Sequence, residues 1–292
     1  MKKTRGNAAT RRVGKSPARR VSVSASPVIT LLTDFGLKDY FVGAVKGVIL
    51  GVNPDARIVD ITHEIPEHDI EAAAFTVLAV ADSFPAGTIH LAVVDPGVGS
   101  SRKPLLILSG GQFFVGPDNG IFSYVTGDDA LVYELTNADY FRQPLSQTFH
   151  GRDVFAPLAA ALSSGIKPDA LGKRIKAWVT LPSLKPKTLG DGLEARVIKI
   201  DRFGNCITNL TRQHLSAEEI GSTIQLKVEG KQIDSFRRFY GDKTGGRNKP
   251  FAIWGSAGFL EISAENQSVA ELLGVKRGDR VAVIRKPGGS VS

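Results

Sequence analysis

Short apolar runs alternate with stretches of helical spacing over the first half of the chain. Val28-Ile29-Thr30-Leu31-Leu32-Thr33 reads as a strand that stops at Asp34-Phe35-Gly36. Apolar residues then recur at helical spacing from Tyr40 to Val52 and end at Asn53-Pro54, completing a βα unit. Arg57 to Ile61 gives a second strand. Asp69 to Phe84 gives an Ala-rich helix, introduced by Pro66 and stopped at Pro85-Ala86-Gly87. Thr88 to Val94 is an apolar run closed by Asp95-Pro96-Gly97, the signature of a buried strand. Leu105 to Leu108 and Phe113 to Val115 flank Gly110-Gly111 in the manner of a hairpin. This alternation predicts a mainly parallel sheet with helices on both faces.

The pattern weakens after Gly116-Pro117-Asp118-Asn119-Gly120 and returns at His150-Gly151-Arg152-Asp153. There a loop at His150-Gly151 leads into an Ala-rich helix from Asp153 to about Ser164. Beyond it the character changes. Leu193 to Ile200, Thr223 to Val228, Phe259 to Ile262 and Arg280 to Ile284 are short β-type runs, and only Val269 to Leu273 looks helical. The expected fold is therefore α/β, an N-terminal α/β domain over residues 27–175 and a smaller C-terminal β-barrel domain over 193–292. A Pro- and Gly-interrupted linker, 176–192, joins them.

Charge alters this picture at one end only. The formal net charge is +8, but residues 1–26 hold eight of the 37 Lys and Arg and no acid, leaving 29 basic against 29 acidic residues in the rest. The excess belongs to a tail, read as a disordered solvated extension whose composition also fits an organelle transit peptide or a weak polyanion tether, so nucleic acid is not an expected partner of the folded body. The tail lacks the apolar centre of a secretory signal. No apolar run approaches the ~20 residues of a membrane span. Cys206 is the only cysteine, which excludes an intrachain disulfide and fits a reducing, cytoplasmic setting.

Three acids stand at strand ends or loops: Asp34, Asp95 and Asp201 in Asp201-Arg202-Phe203-Gly204-Asn205. Each would serve a turn equally well. Together they outline a polar ring at the carboxyl ends of strands, where α/β proteins bind ligands. Gly97-Val98-Gly99-Ser100-Ser101-Arg102 has Arg102 where a dinucleotide fingerprint needs its third glycine. Among His63, His68, His90, His150 and His214 no metal-ligand spacing occurs. A convergence of Asp60, His63 and Asp69 is the one metal arrangement to weigh.

Seven segments occur in an order and spacing that resembles the S-adenosylmethionine hydroxide adenosyltransferases, relatives of the fluorinase and chlorinase enzymes. They are Thr33-Asp34-Phe35-Gly36, Asn53-Pro54, Val59-Asp60-Ile61-Thr62-His63, Val94-Asp95-Pro96-Gly97-Val98-Gly99, Pro117-Asp118-Asn119-Gly120, Thr148-Phe149-His150-Gly151-Arg152-Asp153 and Asp201-Arg202-Phe203-Gly204-Asn205. The resemblance spans about residues 28 to 285.

It implies hydrolysis of S-adenosyl-L-methionine to adenosine and methionine by a water attacking the 5′ carbon, with Asp95, Arg102 and His150 as the activating trio. Substrate contacts would fall on Asp34 at the ribose hydroxyls, Asp201 at the methionine ammonium, Asn205 and Tyr240 at the adenine, and Ser256, Glu261 and Ala264 around the nucleoside. It further implies a homotrimer with sites between subunits, no metal and no cofactor besides the substrate. Two alternatives accompany it. One is halide transfer to the same carbon, which an ionised Asp95 would repel and for which the halogenating relatives differ at the Asp95 and His150 positions. The other is an adenosine- or S-adenosylmethionine-binding protein without turnover.

Overall fold

The computed structural model describes residues 27–285 apart from 191, 221, 247 and 248, so the basic stretch 1–26 and the last residues of the C-terminal domain lie outside the described residues. The first sheet has seven strands: β1 (Val28–Thr33), β2 (Arg57–Thr62), β3 (Ile89–Val93), β4 (Pro104–Ser109), β5 (Gln112–Pro117), β6 (Leu131–Leu135) and β7 (Gly172–Ile175). They lie in the order β2-β1-β3-β5-β4-β6-β7.

The expectation of a mainly parallel sheet is corrected to a mixed one. The β2, β1, β3, β5 half is parallel, whereas β5·β4, β4·β6 and β6·β7 are antiparallel. The cause is local: the Gly110-Gly111 hairpin turns the chain straight back, both glycines with positive φ, and β6 and β7 then extend the sheet by antiparallel pairing.

Strand alternation feeds two separate cores. Ile29, Leu31, Ile89 and Leu91 face α1 (Phe41–Val52) and α3 (Ala156–Ser163). Leu32, Ala92 and Val94 face the Ala73 and Val77 side of α2 (Ile70–Ala81). Both faces are thus covered, and β3 is buried along its whole length. α2 starts at Asp69, whose side chain accepts from the Ala72 N–H at 2.9 Å. The short α4 (Pro168–Leu171) leads into β7.

The second unit is a nine-stranded sheet made of β8 (Lys187–Leu189), β9 (Gly192–Ile200), β10 (Cys206–Thr211), β11 (Ile224–Val228), β12 (Lys231–Ile233), β13 (Phe236–Arg237), β14 (Phe251–Trp254), β15 (Phe259–Ser263) and β16 (Arg280–Arg285). α5 (Val269–Leu273) packs its Val269, Ala270 and Leu273 into the enclosed core. The expected β-barrel is corrected to a strongly curled, open sheet, a half-barrel running from β12 to β13. These two edges follow each other in the chain with only Asp234 and Ser235 between them, and three- and two-residue strands so joined have no length for a closing ladder.

The two units meet on α2, which is apolar on its far side as well. Phe75 packs edge-on against Phe259, centroids 5.4 Å apart, with Ile198 and Ile207 beside them. Arg196 pairs with Glu71 and Arg277 with Asp69 around this contact. Lys199 Nζ donates to Thr76 Oγ1 at 3.2 Å.

Candidate active site

The loop after β3 is built around Asp95. The Val98 N–H closes a turn onto the Asp95 carbonyl, and Gly99 at φ 77° lets the loop lie against its neighbour: a Cβ there would stand 2.4 Å from the Gln147 carbonyl oxygen. From below, Asn119 Nδ2 donates to the Val94 carbonyl at 2.8 Å, which gives Pro117-Asp118-Asn119-Gly120 a structural task.

Arg102 closes back over this loop. Its Nε donates to Asp95 Oδ1 and Oδ2 at 2.9 and 3.0 Å, and its Nη2 bonds both Asp95 Oδ2 and His150 Nδ1, the latter at 2.8 Å. The guanidinium also lies 5.1 Å from the Phe155 ring centroid. A guanidinium can only donate, so Nδ1 is the acceptor and a neutral His150 carries its proton on Nε2. That nitrogen is buried and has no partner among the described residues. Burial, and after it the Arg102 charge, hold the His150 pKa below the ordinary histidine value.

His150 is not on a loop, as its sequence surroundings suggest. It immediately precedes a single π-helical turn, Gly151–Phe155, that runs into α3. Asp153 locks this turn. It is wholly buried and accepts from Arg152 Nε and Nη2 at 2.6 and 2.8 Å, from the Ser146 N–H at 2.9 Å and from Arg142 Nη1 at 3.2 Å. Burial alone would raise its pKa; these bonds win and hold the carboxyl below its usual range.

Asp34, Asp95 and His150 line one cavity of about 300 Å³, together with Glu67 and His68. Phe35, Phe41 and Phe149 form one wall, with ring centroids 5.2 to 5.9 Å apart. Asp34 Oδ2 accepts from the His68 N–H at 3.0 Å, and His68 holds φ at 63°, a left-handed conformation that is rare for a side-chain-bearing residue. Neither His68 nor the phenylalanine wall was singled out from the sequence. The signal was their position beside Asp34, Asp69 and His150.

The remaining expected contacts assemble elsewhere. Asp201, Asn205, Tyr240, Ser256, Glu261 and Ala264 line a second cavity of about 720 Å³, which shares no lining residue with the first. Asp201 Oδ1 accepts from the Phe203 and Asn205 N–H groups at 2.9 and 2.8 Å, a tight turn that needs Gly204: a Cβ there would meet Ser268 Oγ at 2.1 Å. Asn205 Nδ2 donates to Asp201 Oδ2 at 2.9 Å and reaches Tyr240 Oη at 3.4 Å, and Tyr240 Oη donates to Glu261 Oε2 at 3.1 Å. Burial raises the Glu261 pKa against the bond from Tyr240. Phe203 and Trp254 are also in the lining and were missed, because an exposed Phe and a strand-end Trp carry no signal of their own.

The weighed metal arrangement does not form. His63 Nε2 lies 3.2 Å from Asp60 Oδ1, but Asp69 turns away to cap α2 and pair with Arg277. Among the described residues no group of three His, Cys, Asp or Glu could hold a metal ion. His90 bonds Thr30 Oγ1 through Nδ1 at 2.8 Å and stacks on Phe114, and burial lowers its pKa to about 4.

Comparison with known proteins sets the chain in a family. Residues 29–172 match the SAM hydroxide adenosyltransferase N-terminal domain and residues 195–282 the C-terminal domain of the same family. The chain is 36% identical over 270 residues to the (R)-S-adenosyl-L-methionine hydrolase of Thermus thermophilus, covering 88% of this chain and 99% of that one. It is 25% identical over 234 residues to the fluorinase of an Actinoplanes species, covering 70% of this chain and 78% of that one. The crystal structure of an uncharacterized conserved protein from Thermotoga maritima superposes with a TM-score of 0.80 at 33% identity, covering 88% of this chain and all of that one.

Proposed function

The chain belongs to the SAM hydroxide adenosyltransferase family, and from that premise we propose how it hydrolyses S-adenosyl-L-methionine to adenosine and methionine. A sulfonium is a good leaving group without acid assistance, so the demand falls on the nucleophile, a water of pKa about 15.7. The contact of Arg102 with both Asp95 and His150, two residues that line the first cavity, carries this reading.

The water oxygen attacks the 5′ carbon, and the carbon–sulfur bond breaks with its electron pair passing to the methionine sulfur. The water proton leaves through Asp95 to solvent. His150 acts as a donor: with Nδ1 occupied by Arg102, its Nε2–H stabilises the hydroxide-like oxygen. Arg102 supplies positive charge and holds Asp95 and His150 in register. Asp34 takes the ribose hydroxyls as a two-acceptor carboxylate. Asp201 binds the methionine ammonium, Asn205 and Tyr240 the adenine, and Ser256, Glu261 and Ala264 flank the nucleoside.

Hydrolysis is favoured over halide transfer by the Asp95 carboxylate, which repels anions, and by the higher identity to hydrolase-named relatives than to fluorinases. Incubation with the two sulfonium epimers of the substrate, with and without chloride, tests this. Adenosine as the product in both media is expected, and a 5′-chloronucleoside would overturn it. A chain that binds nucleoside and releases no adenosine would support the non-catalytic alternative.

The active unit in this reading is a homotrimer whose first cavity faces the second cavity of a neighbour. The separation of the two sets of residues into cavities with no shared lining supports it. Mixing Asp95→Ala and Asp201→Ala chains in equal amounts, at a substrate level too low for either to turn over alone, should restore about a quarter of the sites by random assembly; no recovery would argue for sites within one chain. No helix among the described residues is long and apolar enough to cross a membrane. A cytoplasmic location completes the proposal, supported by the single buried thiol of Cys206.

A further inference from the structure

Arg237 heads the largest fully buried side chains, at 1% exposure, although it sits in the two-residue edge strand β13. Its guanidinium is spent on the backbone of the loop that follows. Nη2 donates to the Gly246 carbonyl at 2.8 Å, Nε to Thr244 at 3.2 Å and Nη1 to Tyr240 at 3.4 Å. Among the described residues one carboxylate comes within 4 Å, Glu265 Oε2 at 3.7 Å on a side chain that is 39% exposed, and Asp242 feels the charge from farther off. Burying a cation with so little ionic compensation is costly unless its donors are used. Here they hold together residues 240 to 246, whose other backbone bonds among the described residues stay local, from Asp242 to Phe239, Thr244 to Asp242 and Gly246 to Lys243.

That loop carries Tyr240 into the second cavity. The Arg237 guanidinium lies over the Phe251 ring at 4.1 Å, and the Tyr240 ring meets the same Phe251 edge-on at 6.2 Å. Phe251 therefore supports both the guanidinium and the tyrosine. Lysine could not replace this arrangement, because one ammonium has no planar fork to span three carbonyls while stacking on a ring.

We propose that Arg237 is the positioning residue for Tyr240: by bonding the Tyr240, Thr244 and Gly246 carbonyls above Phe251, it holds that tyrosine ready for the nucleoside. The proposal rests on Tyr240 being a nucleoside contact, as set out above. Arg237 touches neither the activating trio nor the first cavity, so it acts on affinity and not on the rate of the bound complex.

Arg237→Lys, Tyr240→Ala and the double variant test this through KM, kcat and the Kd for adenosine. Arg237→Lys should raise KM and Kd about tenfold, the scale of one lost charge-assisted hydrogen bond, and leave kcat within about twofold. In the Tyr240→Ala background the same substitution should add little, because a residue acting through Tyr240 has nothing left to position. Additive losses, or a fall in kcat at constant KM, would overturn the proposal while leaving Tyr240 in its role. A Tyr240→Ala chain with unchanged KM and Kd would instead remove the premise. Arg237→Gln, uncharged and so less demanding to bury, carries the same expectation should the lysine chain fail to fold.

Discussion

The two cavities are built on opposite terms. In the first, the charges are enclosed and already paired: the Asp95 and Arg102 side chains are 6% and 10% exposed and bonded to each other, with His150 held on the outer edge of the guanidinium. In the second, a polar chain from Asp201 through Asn205 and Tyr240 to Glu261 lies beneath open aromatic residues, Phe203 at 77% exposure and Tyr240 at 51%. The first arrangement suits chemistry, because dipoles fixed before the substrate arrives need no reorganisation as charge develops. The second suits recognition, since exposed aromatic faces next to satisfied polar groups await a partner that completes the burial. Rate and affinity should therefore separate by domain.

The largest effect expected from this division is on Asp95→Ala, which should lower kcat about a thousandfold while adenosine affinity, measured by calorimetry, stays within about twofold. A loss of affinity matching that of Asn205→Ala would break the comparison. Arg102→Lys should cost about a hundredfold in kcat, since an ammonium keeps the charge but cannot hold Asp95 and His150 at once; steady-state adenosine release reads this directly.

On the other side, Gly255→Ala should act on KM. A methyl group there would stand 1.8 Å from Glu261 Oε1 and push that carboxyl off the Tyr240 hydroxyl. A roughly tenfold rise in KM and a loss of about 1–3 kcal/mol in denaturant unfolding are expected, with kcat little changed.

The smallest effect is on pH. The His150 pKa lies below the free value of about 6.5, so the ring is neutral at and above neutrality. As pH falls through the lowered pKa the ring gains a proton, loses Nδ1 as an acceptor and repels Arg102. The fall in kcat on the acid side should accordingly begin below about pH 6.5 and be several-fold before the protein unfolds. A decline that sets in above pH 7 would assign the titration to another group.

Stability has its own acid limit at His90, buried in the first sheet. Its pKa is about 4 in the fold against about 6.5 in the unfolded chain. Between those values the unfolded state binds more protons, so stability present above pH 6.5 declines on acidification toward 4.

Local pattern made much of the first domain legible. Val28–Thr33, Phe41–Val52 and Ile70–Ala81 announce themselves because strands buried on both faces are continuously apolar and helices carry a 3.6-residue period. β10 escaped the same reading: Cys206–Thr211 is nearly all buried yet half polar, its Thr208 bonded to the Leu260 carbonyl and its Asn209 to Arg196 and Leu184. A strand whose polar side chains are satisfied by distant backbone looks like a loop until those partners are in place. The π turn after His150 was hidden for a like reason, since Asp153 draws on Arg142 and Ser146, neither of them helical neighbours.

The sequence by itself determined which residue types stand at strand ends, the ordered motifs from Asp34 to Asn205, and the split between an α/β half and a β half. Only the tertiary structure decided that the first sheet is mixed and the second stays open. It also decided that Arg102 bonds both Asp95 and His150, and that the residues expected at the substrate fall into two cavities. Motifs are set by local chemistry, which a linear pattern records. Pairing direction, closure and the partner of a charged side chain depend on residues far apart in the chain, and the packing of the whole chain selects among them.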